Sequence, residues 1–594
     1  MLDVLIVGGG PHALTLATLL AHPDVRCPQP SADILDGIQL SQPKAKSSRA
    51  KGKRRAAPAV VSKEEADPGP APTLPLNFRV VDSYGEWATL WGSQFSALNI
   101  PHLRSHTLVH TDPLNKKALQ DFVVKHGRTG ELHSLPEHVF ILDENAYFND
   151  NRLGKRDKRR LSTSAGLRKS LYFSLPATGL SVDFFQDQVR RYGLDSVLIR
   201  GTVDRIIPVV SGQSTVLEDP GEHKEALYFR VLLQNGEVIE ARRVVMATGP
   251  TRAQMVNIPA WVSAITESYP EDRLQHTVQL MHQQAHSWQQ EAGTQPQEAE
   301  TLQQEDGSQQ KHKASHKEEV GTRQQESRPN SPAPPPVCHA GERMLVIGGG
   351  LTSAHIITIA LQQGASHVTW VIRKHLQLKQ FDVGDVESLI GRYSHVEHGI
   401  QMDGLAYLRQ FYGERSLTRR LAMIRQARKG GAVTPEAYAQ LLPHIQSGRL
   451  AVKPYCQVSE AKWCYRKQAW NISLSCGQSW TGDKIWLATG CKLDVNQDPL
   501  LADVIREFPI QVLDGWPCLP ENLQWAPGCP LYLMGQYTAL QIGPHALNLA
   551  GGQASSIRIA KDILSWHRGV REGQRAERAR TEDYIQQMHG LMWL

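Results

Sequence analysis

Two glycine clusters in this chain have the spacing that holds phosphate. The first is Gly8-Gly9-Gly10-Pro11-His12, entered from Val4-Leu5-Ile6-Val7. The second is Gly348-Gly349-Gly350-Leu351-Thr352-Ser353, entered from Met344-Leu345-Val346-Ile347. In each, an apolar run enters the glycines and another apolar run leaves them. One glycine permits a tight turn, and a second lets backbone N–H groups approach a pyrophosphate at a helix N-terminus. Two such units predict two bound dinucleotides and a hydride passed between them.

The elements that must position these loops are strand, turn and helix, followed by a second strand. The residue ending that second strand separates one nucleotide from another. After the first loop the strand Phe78-Arg79-Val80-Val81 ends in Asp82, an acid suited to a ribose 2′-hydroxyl, hence FAD or NAD. After the second loop the strand His367-Val368-Thr369-Trp370-Val371-Ile372 ends in Arg373-Lys374, suited to a 2′-phosphate, hence NADP. Two further strands, Val244 to Gly249 and Ile485 to Gly490, each end in Ala-Thr-Gly, where small residues let backbone pass close to a cofactor. One precedes the second glycine loop and one follows it, so an NADP domain is expected inside an FAD domain. A last apolar strand ends at Gly535, and a loop through Pro544 opens a small-residue helix whose N-terminus suits the pyrimidine end of a flavin.

Asp82 lies far from Gly8 unless the chain between them is excised. Cys27 to Leu76 is rich in Pro, Ser, Ala and Lys, with seven basic residues in the twelve from Lys44 to Arg55. It cannot bury enough apolar surface to order itself and reads as a solvated insertion at a surface turn. Removing it brings Asp82 to about the 20 residues expected past the loop. Gln283 to Glu342, rich in Gln, Glu, Ser and Pro, reads as a second disordered insertion. The expected plan is an α/β chain with two Rossmann-like dinucleotide-binding domains and two insertions. The FAD-binding domain takes 1–26, 77–250 and 491–594, and the NADPH domain begins at 251–282 and continues through 343–490.

Composition narrows the class. The net charge of +6 is small for 594 residues, and no basic face with a nucleic-acid-binding fold is visible. None of the eight cysteines forms a C-x-x-C pair, which leaves free thiols in a reducing compartment and argues against a dithiol oxidoreductase. Met1 leads almost directly into the first strand and no apolar run reaches the ~20 residues of a membrane span, so a cytoplasmic protein is expected.

Four segments carry a resemblance to a family. Pro11 follows the paired glycines of the first loop. Phe95 to Pro113 contains Leu103-Arg104-Ser105 and Thr111-Asp112-Pro113. Ser174-Leu175-Pro176 precedes Asp183-Phe184-Phe185, and Asp483 precedes Leu487-Ala488-Thr489-Gly490. Together they resemble the N-hydroxylating flavin monooxygenases that act on ornithine or lysine. The resemblance implies FAD and NADPH as cofactors and a small-molecule substrate, an amine or amino acid, with O2. It implies hydride transfer to FAD, then a flavin hydroperoxide that hydroxylates the substrate. Gly8, Gly10, Pro11 and His12 would hold FAD pyrophosphate, Asp82 its ribose and Val203 its adenine. Trp91 and Leu103 would lie near the flavin, with Gly249, Gly490, Gly535 and Pro544 along the cofactors. Gly348, Gly350, Thr352, Ser353 and Arg373 would hold NADPH, and Arg104 would meet the substrate carboxylate.

The chain departs from the family where a lysine precedes an aspartate, since it has Arg104-Ser105; Arg and Lys are not interchangeable at such a site. Cys491 stands where the family has Tyr, and His355 where it has Glu. These leave a non-catalytic FAD-binding regulatory protein as the alternative. Trp87, Trp91 and Phe95 at helical spacing fit a core as well as a flavin contact. His102, His106 and His110 recur every four residues, but no metal site is expected of them. His276 and His545 suit a satisfied core as readily as an active site.

Overall fold

A computed structural model of the chain describes residues 1–23, 76–134, 139–142, 174–210, 225–250, 255–283, 336–378, 392–395, 400–402, 404–428 and 431–591. Most of both expected insertions lies outside the described residues. The described residues resume before the second insertion's expected end, and Val337 and Cys338 are buried. Their N–H groups both donate to Gln363 Oε1, and Trp486 Nε1 donates to the Val337 carbonyl.

Two parallel sheets carry the α/β fold. In the first, Leu2–Val7 lies between Phe78–Asp82 and Val238–Met246. Leu198–Arg200 extends it past Asp82, and Cys529–Leu533 extends it past Val238–Met246. Antiparallel strands Ala226–Leu233 and Val203–Val210 branch from the latter strand. The inner stretches of these strands, Val4 to Val7, Val80 to Val81 and Val244 to Met246, are apolar because both faces are covered there. Val4, Ile6, Val80 and Val245 face a core built on Pro11–Ala21, Thr178–Arg191 and the C-terminal helix Leu549–Leu591. Leu5, Val7, Val81 and Val244 face the opposite core with the antiparallel branch. Alternation along each strand sends neighbours to opposite faces.

The second sheet has five parallel strands in the order Leu274–His276, Lys484–Leu487, Arg343–Ile347, His367–Ile372 and Leu450–Pro454. Helices Leu351–Gln362 and Pro435–Gln446 cover one face. A three-stranded antiparallel sheet, Val458–Cys464, Ala469–Leu474 and Ser479–Gly482, covers the other with Trp463, Trp470 and Trp480. The central three strands thus repeat the order Ala-Thr-Gly strand, glycine-loop strand, second strand of the first sheet.

The resembling segments around Asp112 and Asp183 act as struts. Buried Asp112 accepts from Arg191 Nη1 at 2.9 Å and Tyr192 OH at 2.9 Å, and caps Leu114 N–H. Asp183 accepts from Arg128 Nη1 at 2.7 Å. They tie the strap after the second strand to the helix Thr178–Arg191. No helix among the described residues is long and apolar enough to cross a membrane.

Candidate dinucleotide sites

Both glycine loops meet an Ala-Thr-Gly turn in the same way. Gly8 has φ +102°, its N–H donates to Val81 O at 2.8 Å, and a Cβ there would lie 2.6 Å from Ala247 O. Gly348 has φ +142°, its N–H donates to Val371 O at 3.1 Å, and a Cβ would lie 2.2 Å from Ala488 O. Ala247 N–H donates to Val7 O and Ala488 N–H to Ile347 O, each at 2.8 Å. Only glycine accepts the left-handed backbone and the crowding together. Each chain then enters a helix, Gly10 as N-cap of Pro11–Ala21 and Gly350 as N-cap of Leu351–Gln362, with no side chain capping either helix. Ser353 N–H turns back to Gly350 O at 3.0 Å, and the other first N–H groups of both helices have no capping side chain among the described residues, as at an anion site.

The first loop opens onto a cleft. Gly8, Gly9, Gly10, Pro11 and Asp82 line one side, Trp91 and Gln94 another, and Ala247 to Pro250 a third. Asp82 accepts Gly9 N–H on Oδ2 and Tyr84 N–H on Oδ1, each at 2.8 Å. Burial pushes its pKa above the ordinary carboxylate value, opposed by these backbone N–H bonds. A carboxylate has about four lone-pair sites, so both oxygens retain capacity for a ribose hydroxyl. Trp91 stacks on Phe95 with ring centroids 4.1 Å apart while lining the cleft, whereas Trp87 is buried in the core. Val203 begins its strand just beyond Gly201, whose N–H donates to Asp82 O at 2.9 Å. Gly249 and Gly490, both at φ +72°, have open space where a Cβ would point.

His12 does not turn its ring to this cleft. Its Nε2 lies 2.9 Å from Asn548 O, against Gly552, where a Cβ would come within 2.3 Å of the ring. Gly552 lets the C-terminal helix pack closely on Pro11–Ala21, so the ring of His12 serves packing, while Gly551 makes room for the His545 carbonyl. Gly535 follows the strand Cys529–Leu533, and Met534 N–H donates to Met246 O at 3.0 Å. Pro544 is buried in the turn leading to the C-terminal helix.

The second loop is pinned and covered. Trp370 Nε1 donates to the Gly348 carbonyl. Ser353 Oγ is buried without a hydrogen-bond partner among the described residues, and Thr352 stands beside it. The backbone of Gly431 lies against Gly349 and Gly350, so that a Cβ on it would sit 2.3 Å from Gly349 C. Offering these N–H groups to a ligand therefore requires that backbone to move. Arg373 and Lys374 are exposed at the strand end.

Leu103 and Arg104 line a separate cleft with Pro101, His102, Leu351, His355, Thr434, Glu436 and Gln440. The strap that follows Phe78–Asp82 meets the helices Leu351–Gln362 and Pro435–Gln446 there. His102, His106 and His110 diverge: His110 Nε2 lies 3.1 Å from Lys116 O, and His106 Nδ1 accepts Leu108 N–H. His102 joins other partners, which its own segment did not signal. Its Nδ1 lies 3.2 Å from Glu436 Oε1, and the His133 ring lies beside it, tilted by 30° with centroids 4.9 Å apart. Ligand atoms of the three lie within 4.8 Å of one another. The His102 bond holds the Glu436 carboxyl below its ordinary value.

Burial lowers the pKa of His12, His276 and His355 from 6.5 to about 4. His276 Nε2 lies 3.1 Å from Thr489 Oγ1, at the second Ala-Thr-Gly turn. These folded values lie below the unfolded one, so the unfolded chain binds more protons between them. The associated stability is fully present above pH ~6.5 and is lost as pH falls towards ~4. For fully buried His12 the loss amounts to about 3 kcal/mol. Thermal midpoints at pH 7 and pH 5 should differ, and His12→Gln should shrink the difference; equal midpoints would contradict it.

No family model matches the chain and no curated protein matches it. Solved structures do. The chain is similar to L-lysine 6-monooxygenase from Pseudomonas syringae, with 14% identity and a TM-score of 0.51, over 95% of this chain and 99% of that one. It is equally similar to the reduced form of ornithine hydroxylase from Pseudomonas aeruginosa, with 14% identity and a TM-score of 0.51, over 96% of this chain and 99% of that one. The likeness extends over both sheets and shows that the fold is shared.

Proposed function

We propose that this chain is an FAD-dependent, NADPH-using oxidoreductase of the monooxygenase type, acting with O2 on a small nucleophilic substrate, an amine or an amino acid such as ornithine. The observation that carries this reading is the duplicated contact of a glycine loop with an Ala-Thr-Gly turn, with an acid ending one second strand and two bases ending the other. The shared fold of two hydroxylases, of lysine and of ornithine, supports the choice of chemistry.

The residues fit both groups. The open cleft at Gly8, Gly10 and Pro11, with Asp82 at its edge, suits FAD. The orphaned Ser353 Oγ, the uncapped N-terminus at Gly350 and exposed Arg373 suit NADPH. The flavin, when bound, supplies electron transfer from the nicotinamide and the activation of oxygen. The protein's share is to bind, orient and exclude water. Gly8 and Gly348 set the approach of each backbone to its pyrophosphate. Trp91 walls the first cleft. Arg104, in the cleft with Leu351 and Glu436, would hold a substrate carboxylate by its two-pronged guanidinium. Ionised Glu436, in the same cleft, favours a cationic amine.

Purified protein tests the reading. It should be yellow or take up FAD, and it should consume oxygen with NADPH in the presence of a substrate from a panel of amines and amino acids. Protein that stays colourless after incubation with FAD would overturn it. Bound FAD without NADPH oxidation would leave a flavin-binding protein that is not this enzyme. Arg104→Ala should raise KM for an amino-acid substrate about 10–100-fold, the worth of one charge-assisted contact, while sparing NADPH.

A further inference from the structure

Cys456 and Cys476 flank the antiparallel sheet that covers the second parallel sheet. Cys456 follows the strand Leu450–Pro454, and Cys476 lies in the turn between Ala469–Leu474 and Ser479–Gly482. Twenty residues separate them in sequence, yet Cys456 Sγ donates to Cys476 Sγ at 3.4 Å. Backbone bonds hold the register beside them: Ser475 N–H donates to Gln457 O at 2.8 Å, and Gln457 N–H to Ser475 Oγ at 3.0 Å. All the described cysteines are free, with Cys456 buried and Cys476 exposed.

We propose that Cys456 and Cys476 form a thiol oxidation site that closes to a disulfide when it meets a small-molecule disulfide of the glutathione type. The asymmetry assigns the order of events. Hydrogen bonds from the Gln478 backbone and from Cys456 lower the pKa of Cys476, while burial raises that of Cys456. Exposed Cys476 is therefore the attacking thiolate and Cys456 the resolving thiol. The Cys476 thiolate attacks one sulfur of glutathione disulfide, that S–S bond breaks, and one glutathione thiolate leaves. Cys456 then gives up its proton to solvent and its sulfur attacks Cys476 Sγ, expelling the second glutathione thiolate. Two protein thiols are oxidised by two electrons, and one disulfide is reduced to two thiols.

The bond would form beside the expected NADPH 2′-phosphate end. Cys456 N–H donates to Ile372 O at 3.0 Å, and Tyr455 N–H to Lys374 O at 3.3 Å. The cross-link would thus fix the segment that braces Arg373 and Lys374. This consequence rests on the proposed function, whereas the oxidation itself does not.

The full-length protein, incubated with excess oxidised glutathione and then mapped by peptide mass spectrometry, tests the site. The expected result is a linked peptide joining Cys456 to Cys476 and the loss of two titratable thiols at that pair. Cys456→Ser should trap a glutathione adduct on Cys476, and Cys476→Ser should show neither adduct nor link. Both thiols remaining free in excess oxidised glutathione, or linkage of either to another cysteine instead, would overturn the proposal. Disulfide formation in protein that binds no flavin would leave it standing while removing the proposed function.

Discussion

Replacing Gly8 by alanine is expected to yield protein that does not hold flavin, while the same change at Gly348 spares the flavin and abolishes use of NADPH. At Gly8 the new Cβ would lie 2.6 Å from the Ala247 carbonyl oxygen, and at Gly348 2.2 Å from that of Ala488. Both oxygens belong to residues directly after paired strands, held there by Ala247 N–H on Val7 O and Ala488 N–H on Ile347 O, so neither swings aside freely. The left-handed backbone adds about 1–2 kcal/mol and the overpacking about 1–3 kcal/mol, enough to displace the loop. Gly10→Ala is the control, since open space surrounds its Cβ and its φ is −75°. Its thermal midpoint should stay near that of the parent, whereas those of the other two should fall. Flavin absorbance, NADPH oxidation and thermal melts read the three proteins. Flavin lost equally from Gly8→Ala and Gly348→Ala would undo the assignment of one loop to each nucleotide.

Arg373→Ala is expected to lower kcat/KM for NADPH about 10–100-fold and leave that for NADH nearly unchanged. A guanidinium on a phosphate contributes about 1.5–3 kcal/mol through charge-assisted bonds, and only NADPH carries the 2′-phosphate. Arg373 is exposed directly after the strand His367–Ile372, the place that Asp82 holds after Phe78 to Val81 in the first sheet. Salt should weaken NADPH use by the parent more than by the variant, because an exposed ion pair is screened. Lys374→Ala added to Arg373→Ala should deepen the loss. Equal loss with both nucleotides would assign Arg373 to something other than the 2′-phosphate.

The strands and loops that frame these experiments were legible without coordinates. Strands buried on both faces must be continuous apolar runs, and a turn that bends under another backbone must be glycine. Val4 to Gly10 and Met344 to Gly350 state both requirements in single stretches. Asp82 was readable because it closes a strand, once the long insert before it was set aside. The ring contact of His12 was not readable, since adjacency to the loop says nothing about Asn548, more than five hundred residues later in the chain. Trp370 on the Gly348 carbonyl, Gly431 against the second loop and Glu436 beside His102 left no local signal either. Each depends on a partner brought close by sheet order and helix packing.

The sequence by itself determined the two sheets, the two glycine turns and the opposite charge at the ends of their second strands. Those properties live in short runs of chain, where backbone sterics and burial act on neighbouring residues. Only the tertiary structure decided that the first loop lies open while Gly431 covers the second. It alone brought Arg104 and Glu436 into one cleft and set Cys456 against Cys476. Contacts across large sequence separations depend on how both cores pack, which no local pattern of residues encodes.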